Sequence, residues 1–239
     1  MSRRELPAGV PAREGLKSAV TALVRPCSRP ELRLTFEQAA AVPMAGATAL
    51  RGIRDVGAVR AGHRVLVNGA AGGVGTYAVQ IAAALGAEVT GVCSTRNAGL
   101  VRSIGAAHVV DYTTEDFTDG RVRYDVILDN VGNRPLSRLR RALTPAGTLV
   151  LNGGGSPGHV FGPVAGILRA VVVNGLVRER LRLIPHEQKR EQLLTLTGLI
   201  EAGKLTPVLD RTYPLAETAE ALRRVEQGHA RGKVVITVA

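Results

Sequence analysis

The chain has 239 residues, of which 45% are hydrophobic, 3% aromatic and none tryptophan. That composition excludes disorder and requires a core of Val, Leu, Ile and Ala, in one large α/β domain or one domain with part of another. The net charge of +11 is concentrated in residues 1–34, with seven Lys/Arg against three acids, and in residues 134–190, with ten against two. Charge alone would invite a nucleic acid, but the basic residues, mostly Arg, are not interleaved with aromatics and follow no helix-turn-helix or zinc-finger spacing, so no nucleic-acid partner is expected.

Residues 1–34 scatter Arg and Pro without clean periodicity and read as an irregular segment; Glu5, Glu14 and Glu31 argue against a mitochondrial presequence. From Ala61 onward strand-like and helix-like stretches alternate. His63–Ala70 reads as a strand. Val74–Gly86 carries apolar residues at 74, 77, 78, 81, 82 and 85, the stripe of a helix lying on a sheet. Glu88–Cys93 is a second strand, Asn97–Gly105 a short helix, His108–Tyr112 a third strand, and Tyr124–Gly132 a fourth. A helix near Pro135–Leu143 leads to a fifth strand at Gly147–Gly155.

The apolar run from Pro163 to Pro185 is interrupted by Arg169 and Arg178. It predicts a buried or amphipathic helix, with Leu181–Pro185 as a sixth strand, and not a membrane span; an interfacial helix is the weaker alternative. Lys189–Gly203 is a helix stopped by glycine. Strict strand–helix alternation implies a Rossmann-type, doubly wound parallel sheet with helices on both faces. After Leu205 the pattern changes to a Pro-broken extended stretch, a helix and the terminal strand "KVVITVA", which suggests a separate unit.

Cys27 and Cys93 are far apart and stand at no metal-ligand spacing, which points to a reducing, cytoplasmic setting without disulfides or bound metal. The five histidines are unpaired at ligand spacing and read as structural or exposed, with only His159 a weak candidate for facing a substrate. No Ser-His-Asp or Cys-His constellation is discernible.

The loop Gly69-Ala-Ala-Gly72-Gly73-Val74-Gly75 lies between a strand and a helix, the context required for a dinucleotide loop. Glycines there allow the tight turn, the approach of amides to a diphosphate and close helix–strand contact, while the helix N-terminus favours anions. A strict G-x-G-x-x-G would need glycine at Ala70, and Gly69 is expected to share that turn. A glycine-rich structural turn is the competing reading. About twenty residues past the loop, where an acid would take the ribose 2′-hydroxyl of NAD, stand Ser94, Thr95 and Arg96. Hydroxyls and a guanidinium suit a 2′-phosphate, so the expected cofactor is NADP(H); Arg96 as a mere surface charge is the alternative.

The stretches "LTFEQAAAVPMAGATALRGI", "GHRVLVNGAAGGVGTYAVQIAAALGAEVTGVCSTRN", "GAAHVVDYTTEDF", "YDVILDNVG" and "LAETAEALRRVEQGHARGKVVITV" together resemble the medium-chain dehydrogenase/reductase superfamily, specifically its zinc-independent, quinone oxidoreductase-like alcohol dehydrogenases. The resemblance runs from about Leu34 to Ala239. It implies an NADP(H)-binding Rossmann domain over 35–204, with 205–239 the returning portion, or remnant, of a GroES-like β domain whose greater part is not recognisable in 1–34. It further implies hydride transfer to or from a quinone, enone or alcohol/aldehyde substrate.

Carried over by position, Thr48 would lie near the nicotinamide and Gly69 with Gly72, Gly73, Val74 and Gly75 would cradle the diphosphate. Ser94, Arg96 and Tyr112 would surround the 2′-phosphate, although Tyr112 reads equally as an edge packer. Asn130, Val131 and Gly132 would line the ribose path, and Asn152 and Gly153 would meet the nicotinamide. Catalytic residues cannot be carried over, because the family's substrate-side residues lie in the unrecognised portion. A nucleotide-binding remnant without catalysis is therefore the alternative function. A homodimer is expected to cover apolar surface left by the missing part.

Overall fold

The computed structural model describes residues 34–152, 179–185, 189–228 and 230–238. The expected irregular start through residue 33, Gly153, His159 and the apolar stretch 163–178 lie outside the described residues.

The first element is one that the periodicity did not announce. Helix α1 (Phe36–Leu50) is capped by Thr35, whose Oγ1 accepts from the Gln38 amide at 3.2 Å while the Gln38 side chain accepts from the Thr35 amide at 3.0 Å. Its small residues Ala39, Ala41, Ala45, Ala47 and Ala49 are all buried, which lets neighbouring helices approach closely. The helix runs on into a wider π-type turn over Arg51–Val56, closed by the Gly57 amide donating to the Gly52 carbonyl at 3.0 Å.

A six-stranded, wholly parallel sheet follows. It is built from β1 (Arg64–Asn68), β2 (Glu88–Cys93), β3 (His108–Asp111), β4 (Tyr124–Asp129), β5 (Leu143–Leu151) and β6 (Arg180–Leu183), in the order β3-β2-β1-β4-β5-β6. Helices α2 (Gly75–Ala84), α3 (Ala98–Ser103) and α4 (Leu136–Arg141) make three of the crossovers.

Successive strand side chains point to opposite faces, and each face has its own core. Val65, Val67, Val89, Val126, Leu128 and Val150 join α1, α2 and α5 (Arg190–Glu201) in one cluster. Leu66, Val92, Ile127 and Leu149 join Leu139 of α4 and Leu181 of β6 in the other. Helices thus cover both faces, as a doubly wound sheet requires.

Three expectations need correcting in detail. Helix α2 is buried on every side from Gly75 to Ala82 rather than along one stripe, because α1 lies over the side turned from the sheet. The helix before the fifth strand stops at Arg141, and β5 starts at Leu143; a register shift between Tyr124 and Val126 accommodates its early start around Pro145. The third strand ends at Asp111, one residue before Tyr112.

The tail leaves the main sheet, as the change in pattern suggested. Strands β7 (Leu209–Pro214) and β8 (Lys233–Thr237) pair in parallel as a separate two-stranded sheet, joined by α6 (Thr218–Glu226). Asp210 of β7 accepts two bonds from the Arg224 guanidinium of α6, at 2.9 and 3.2 Å. Strand β8 packs against α1. The Gln80 side chain of α2 both donates to the Thr206 carbonyl and accepts from the Thr206 amide, at 3.0 and 2.7 Å, which fastens the approach to β7.

Candidate functional site

The strand order reverses between β1 and β4, and there the carboxyl ends of parallel strands open a crevice. A cleft of about 540 Å³ occupies that position. Residues after β1, β2 and β4 line it, together with Asn152 after β5 and residues of the C-terminal unit.

The floor is the glycine loop. Gly69 has φ +77°, a left-handed conformation that side chains rarely adopt, and so performs the turn that a strict fingerprint assigns one residue later. Ala70 is fully buried instead, with its amide donating to the Val92 carbonyl of β2 at 3.0 Å. A Cβ at Gly75 would overlap the Gly69 carbonyl oxygen, so only glycine lets α2 start this close to the turn. The N-terminus of α2 therefore opens at the cleft, with the Thr76 amide donating to the Gly72 carbonyl and the Ala78 amide to the Val74 carbonyl, each at 3.0 Å. Gly69, Gly72, Gly73, Val74 and Gly75 all line it.

At the end of β2 the cleft is lined by Cys93, Ser94, Arg96 and Asn97, with Tyr112 beside them. The Asn97 side chain donates to Ser94 Oγ at 3.2 Å and steadies the turn. Thr95 does not line the cleft; its hydroxyl donates to Asp111, as does that of Thr113. These hydrogen bonds hold the Asp111 carboxyl below the usual aspartate range. Arg96 has no hydrogen-bonding or ionic partner among the described residues. Burial, then the Asp111 charge, pushes the Cys93 thiol up despite the opposing charge of Arg102.

The opposite wall is a polar network across β1, β4 and β5. Asn68 Nδ2 donates to Asp129 Oδ1 at 2.8 Å and to Asn133 Oδ1 at 3.2 Å. Asp129 Oδ1 also accepts from the amides of Val131 and Gly132, at 3.1 and 3.0 Å, and shapes the loop after β4. Asn130 Nδ2 donates to the Asn68 carbonyl at 3.0 Å, and Asn152 Nδ2 donates to Asn130 Oδ1 at 2.8 Å. Asn130, Val131 and Asn152 line the cleft; Gly132, with φ +70°, serves the loop but does not line it. Thr48 does not line it either, and its hydroxyl donates to the Met44 carbonyl at 2.8 Å within α1.

Sequence reasoning missed Asn68, Asn133 and Lys233 as lining residues. Asn68 was legible as a polar residue ending an apolar strand. Lys233 gave no local signal, because only the folding of the tail against the glycine loop brings it there. No described lining residue is Asp or Glu, and two are cations, Arg96 and Lys233. Among the described residues no group of three or more His, Cys, Asp or Glu could hold a metal ion. No described helix is long and apolar enough to cross a membrane.

Residues 104–236 match the family model described as zinc-binding dehydrogenase. The mouse (Mus musculus) NAD(P)H oxidoreductase RTN4IP1, mitochondrial, is 36% identical over 229 residues, a match covering 86% of this chain and 56% of that protein. The chloroplast envelope quinone oxidoreductase homolog of Arabidopsis thaliana is 30% identical over 210 residues, covering 83% and 61%. The solved structure of the quinone oxidoreductase from Coxiella burnetii superposes with a TM-score of 0.73 at 30% identity, covering 86% of this chain and 62% of that one. The chain thus spans about half the length of the curated relatives it matches. The zinc of the family's description finds no fitting donor set among the described residues, and no chemistry is assigned to it. Sheet order, glycine loop and these matches agree: the chain belongs to the zinc-binding dehydrogenase family, in the quinone oxidoreductase-like part of the medium-chain dehydrogenase/reductase superfamily.

Proposed function

We propose that the cleft binds NADP(H) and that the protein is an oxidoreductase of the quinone reductase type, acting on a quinone, enone or alcohol/aldehyde. The observation that carries this reading is the charge of the described lining residues: two cations and no carboxylate among them, with Ser94 and Arg96 where an NAD-selective site presents an acid. The bound nicotinamide supplies the hydride. The chain's own residues bind and orient. The glycine loop and the start of α2 take the diphosphate, Ser94 and Arg96 take the 2′-phosphate, and Asn130 and Asn152 face the ribose and nicotinamide end.

In this reading residues 205–239 are the returning portion of a GroES-like domain, and substrate enters on the side facing the rest of that domain. The exposed Leu215, Leu222 and Val225 belong to the surface that a second copy of the chain would cover. The cytoplasm remains the proposed compartment, on the spacing of the cysteines; the mitochondrial and chloroplast names belong to the relatives.

Fluorescence titration with NADPH and NADH, alongside turnover assays on a quinone and an enone, tests the proposal. Tight NADPH binding with turnover supports it. Equal or tighter binding of NADH overturns the choice of cofactor, and an empty cleft in both titrations overturns the site. Binding without turnover would favour nucleotide binding alone, a second reading supported by the lack of any carboxylate or histidine among the described lining residues to pass a proton.

A further inference from the structure

We infer that Thr95 and Thr113 are positioning residues that favour the phosphorylated coenzyme: their hydroxyls clamp the Asp111 carboxylate, keeping it off Arg96 and out of the 2′-phosphate's place in the cleft. The inference deepens the NADP(H) reading above and rests on it.

Asp111 is the only carboxylate at the carboxyl ends of β2 and β3. It stands in register with Cys93, a residue that lines the cleft. Side chains paired across neighbouring strands leave the sheet on the same face, so Asp111 sets out on the side of the cleft. The Tyr112 amide continues the ladder by donating to the Cys93 carbonyl at 3.1 Å, and Tyr112 also lines the cleft. The neighbours of Asp111 across the sheet and along the chain thus both belong to the site, yet Asp111 itself does not line it.

Two hydroxyls and an amide hold it aside. Thr95 Oγ1 donates to Asp111 Oδ2, Thr113 Oγ1 donates to Oδ1 at 2.7 Å, and the Thr113 amide donates to Oδ1 at 3.0 Å. The two hydroxyl oxygens stand 3.5 Å apart and close the clamp across the carboxylate. The turn beyond is pinned separately, by the Thr114 and Glu115 amides donating to the Asp111 carbonyl at 3.1 and 2.8 Å. The Thr95 hydroxyl first, then Thr113, holds the Asp111 carboxyl below the usual aspartate range, so it is charged at neutral pH. That charge reaches the cleft, where it adds to burial in raising the Cys93 thiol. A carboxylate and a guanidinium at the ends of neighbouring strands attract each other. Neither Asp111 nor Arg96, however, forms an ion pair among the described residues. The clamp thereby leaves Arg96 free to meet a phosphate. A released Asp111 would neutralise that guanidinium, repel the 2′-phosphate and offer an acceptor to the 2′-hydroxyl of NADH, the arrangement of an NAD-selective site.

Paired titrations with NADPH and NADH test this in the full chain, in the double variant Thr95→Val/Thr113→Val, in Asp111→Asn and in the triple variant that combines them. Valine keeps the branched shape and removes the donor, and the backbone amides still hold the turn, so every variant is expected to melt close to the wild type. The double variant is expected to lose about tenfold in NADPH affinity, the scale of a hydrogen bond to a charged group, and to bind NADH as tightly as before or more tightly. Asp111→Asn is expected to bind NADPH at least as tightly as the wild type, and adding the two valines to it should then change nothing. A loss shared equally by both nucleotides, or one that persists in the triple variant, would reduce the threonines to a structural role and overturn the inference. A weaker preference for NADPH in Asp111→Asn would give the carboxylate the opposite role and overturn it as well. A wild type that prefers NADPH and is unmoved by the valines rejects the clamp and leaves the dinucleotide reading intact. A wild type without that preference rejects both the clamp and the choice of cofactor.

Discussion

Asn68 and Asp129 stand opposite one another at the carboxyl ends of β1 and β4, and the Asn68 amide donates to Asp129 Oδ1 at 2.8 Å. The same oxygen accepts the backbone amides of Val131 and Gly132, so one buried carboxylate sets both a strand end and the loop beyond it. Removing it should hurt more than neutralising it. Asp129→Ala strands three donors and is expected to cost about 1–3 kcal/mol of stability. Asp129→Asn keeps an acceptor at Oδ1 and should cost less. Urea unfolding of both variants measures the difference, and equal losses would contradict this account.

Gly75→Ala drives a methyl group into the Gly69 carbonyl, a backbone atom that cannot turn aside. The expected loss is about 1–3 kcal/mol from overpacking, with weakened NADPH binding because α2 must back away from the loop. Gly99→Ala is the control: its Cβ would meet nothing within 4 Å, so stability should hold.

Arg96→Ala should lower NADPH affinity roughly tenfold or more, the scale of a charge-assisted hydrogen bond, and leave NADH affinity nearly unchanged. Paired fluorescence titrations read the ratio. A parallel loss for both nucleotides would show that Arg96 contributes general charge and no recognition of the 2′-phosphate.

The pH dependence of binding follows from Lys233. Its titration in the free protein is lowered by burial, and bound phosphates raise it, so binding takes up a proton between the two values. Affinity is full while the free lysine is protonated and falls as pH rises from the free-protein value toward the bound one. Arg96, Cys93 and Tyr112 line the same cleft, so the comparison that isolates the lysine is Lys233→Met. Titrations from pH 7.5 upward should show the decline in the wild type and a smaller one in the variant.

Much of this architecture was legible locally. Strand β2 runs from Glu88 to Cys93 as its apolar composition dictates, and Gly69 takes over the turn that Ala70 could not make. Ser94 and Arg96 reach the cleft because position along a β-α-β unit determines where the second strand ends. Helix α1 escaped notice because its Ala-rich body, interrupted by Pro43, is buried among other helices and shows no clear stripe; yet Thr35 and Gln38 spell its cap. What the linear pattern could not contain was the return of the tail. Lys233 opens a short strand of unremarkable composition, and Gly73, against which its side chain lies, belongs to a loop whose glycines the dinucleotide pattern already accounted for.

The contact between Ala71 and Gly232 joins segments from opposite ends of the described chain. Closing so distant a pair must await the ordering of the intervening strands, since loop entropy has to be overcome before the contact can repay it. The cleft is accordingly expected to be among the last features to mature as the polypeptide folds. In refolding, circular dichroism should recover its sheet signal before the protein regains the ability to quench or enhance NADPH fluorescence.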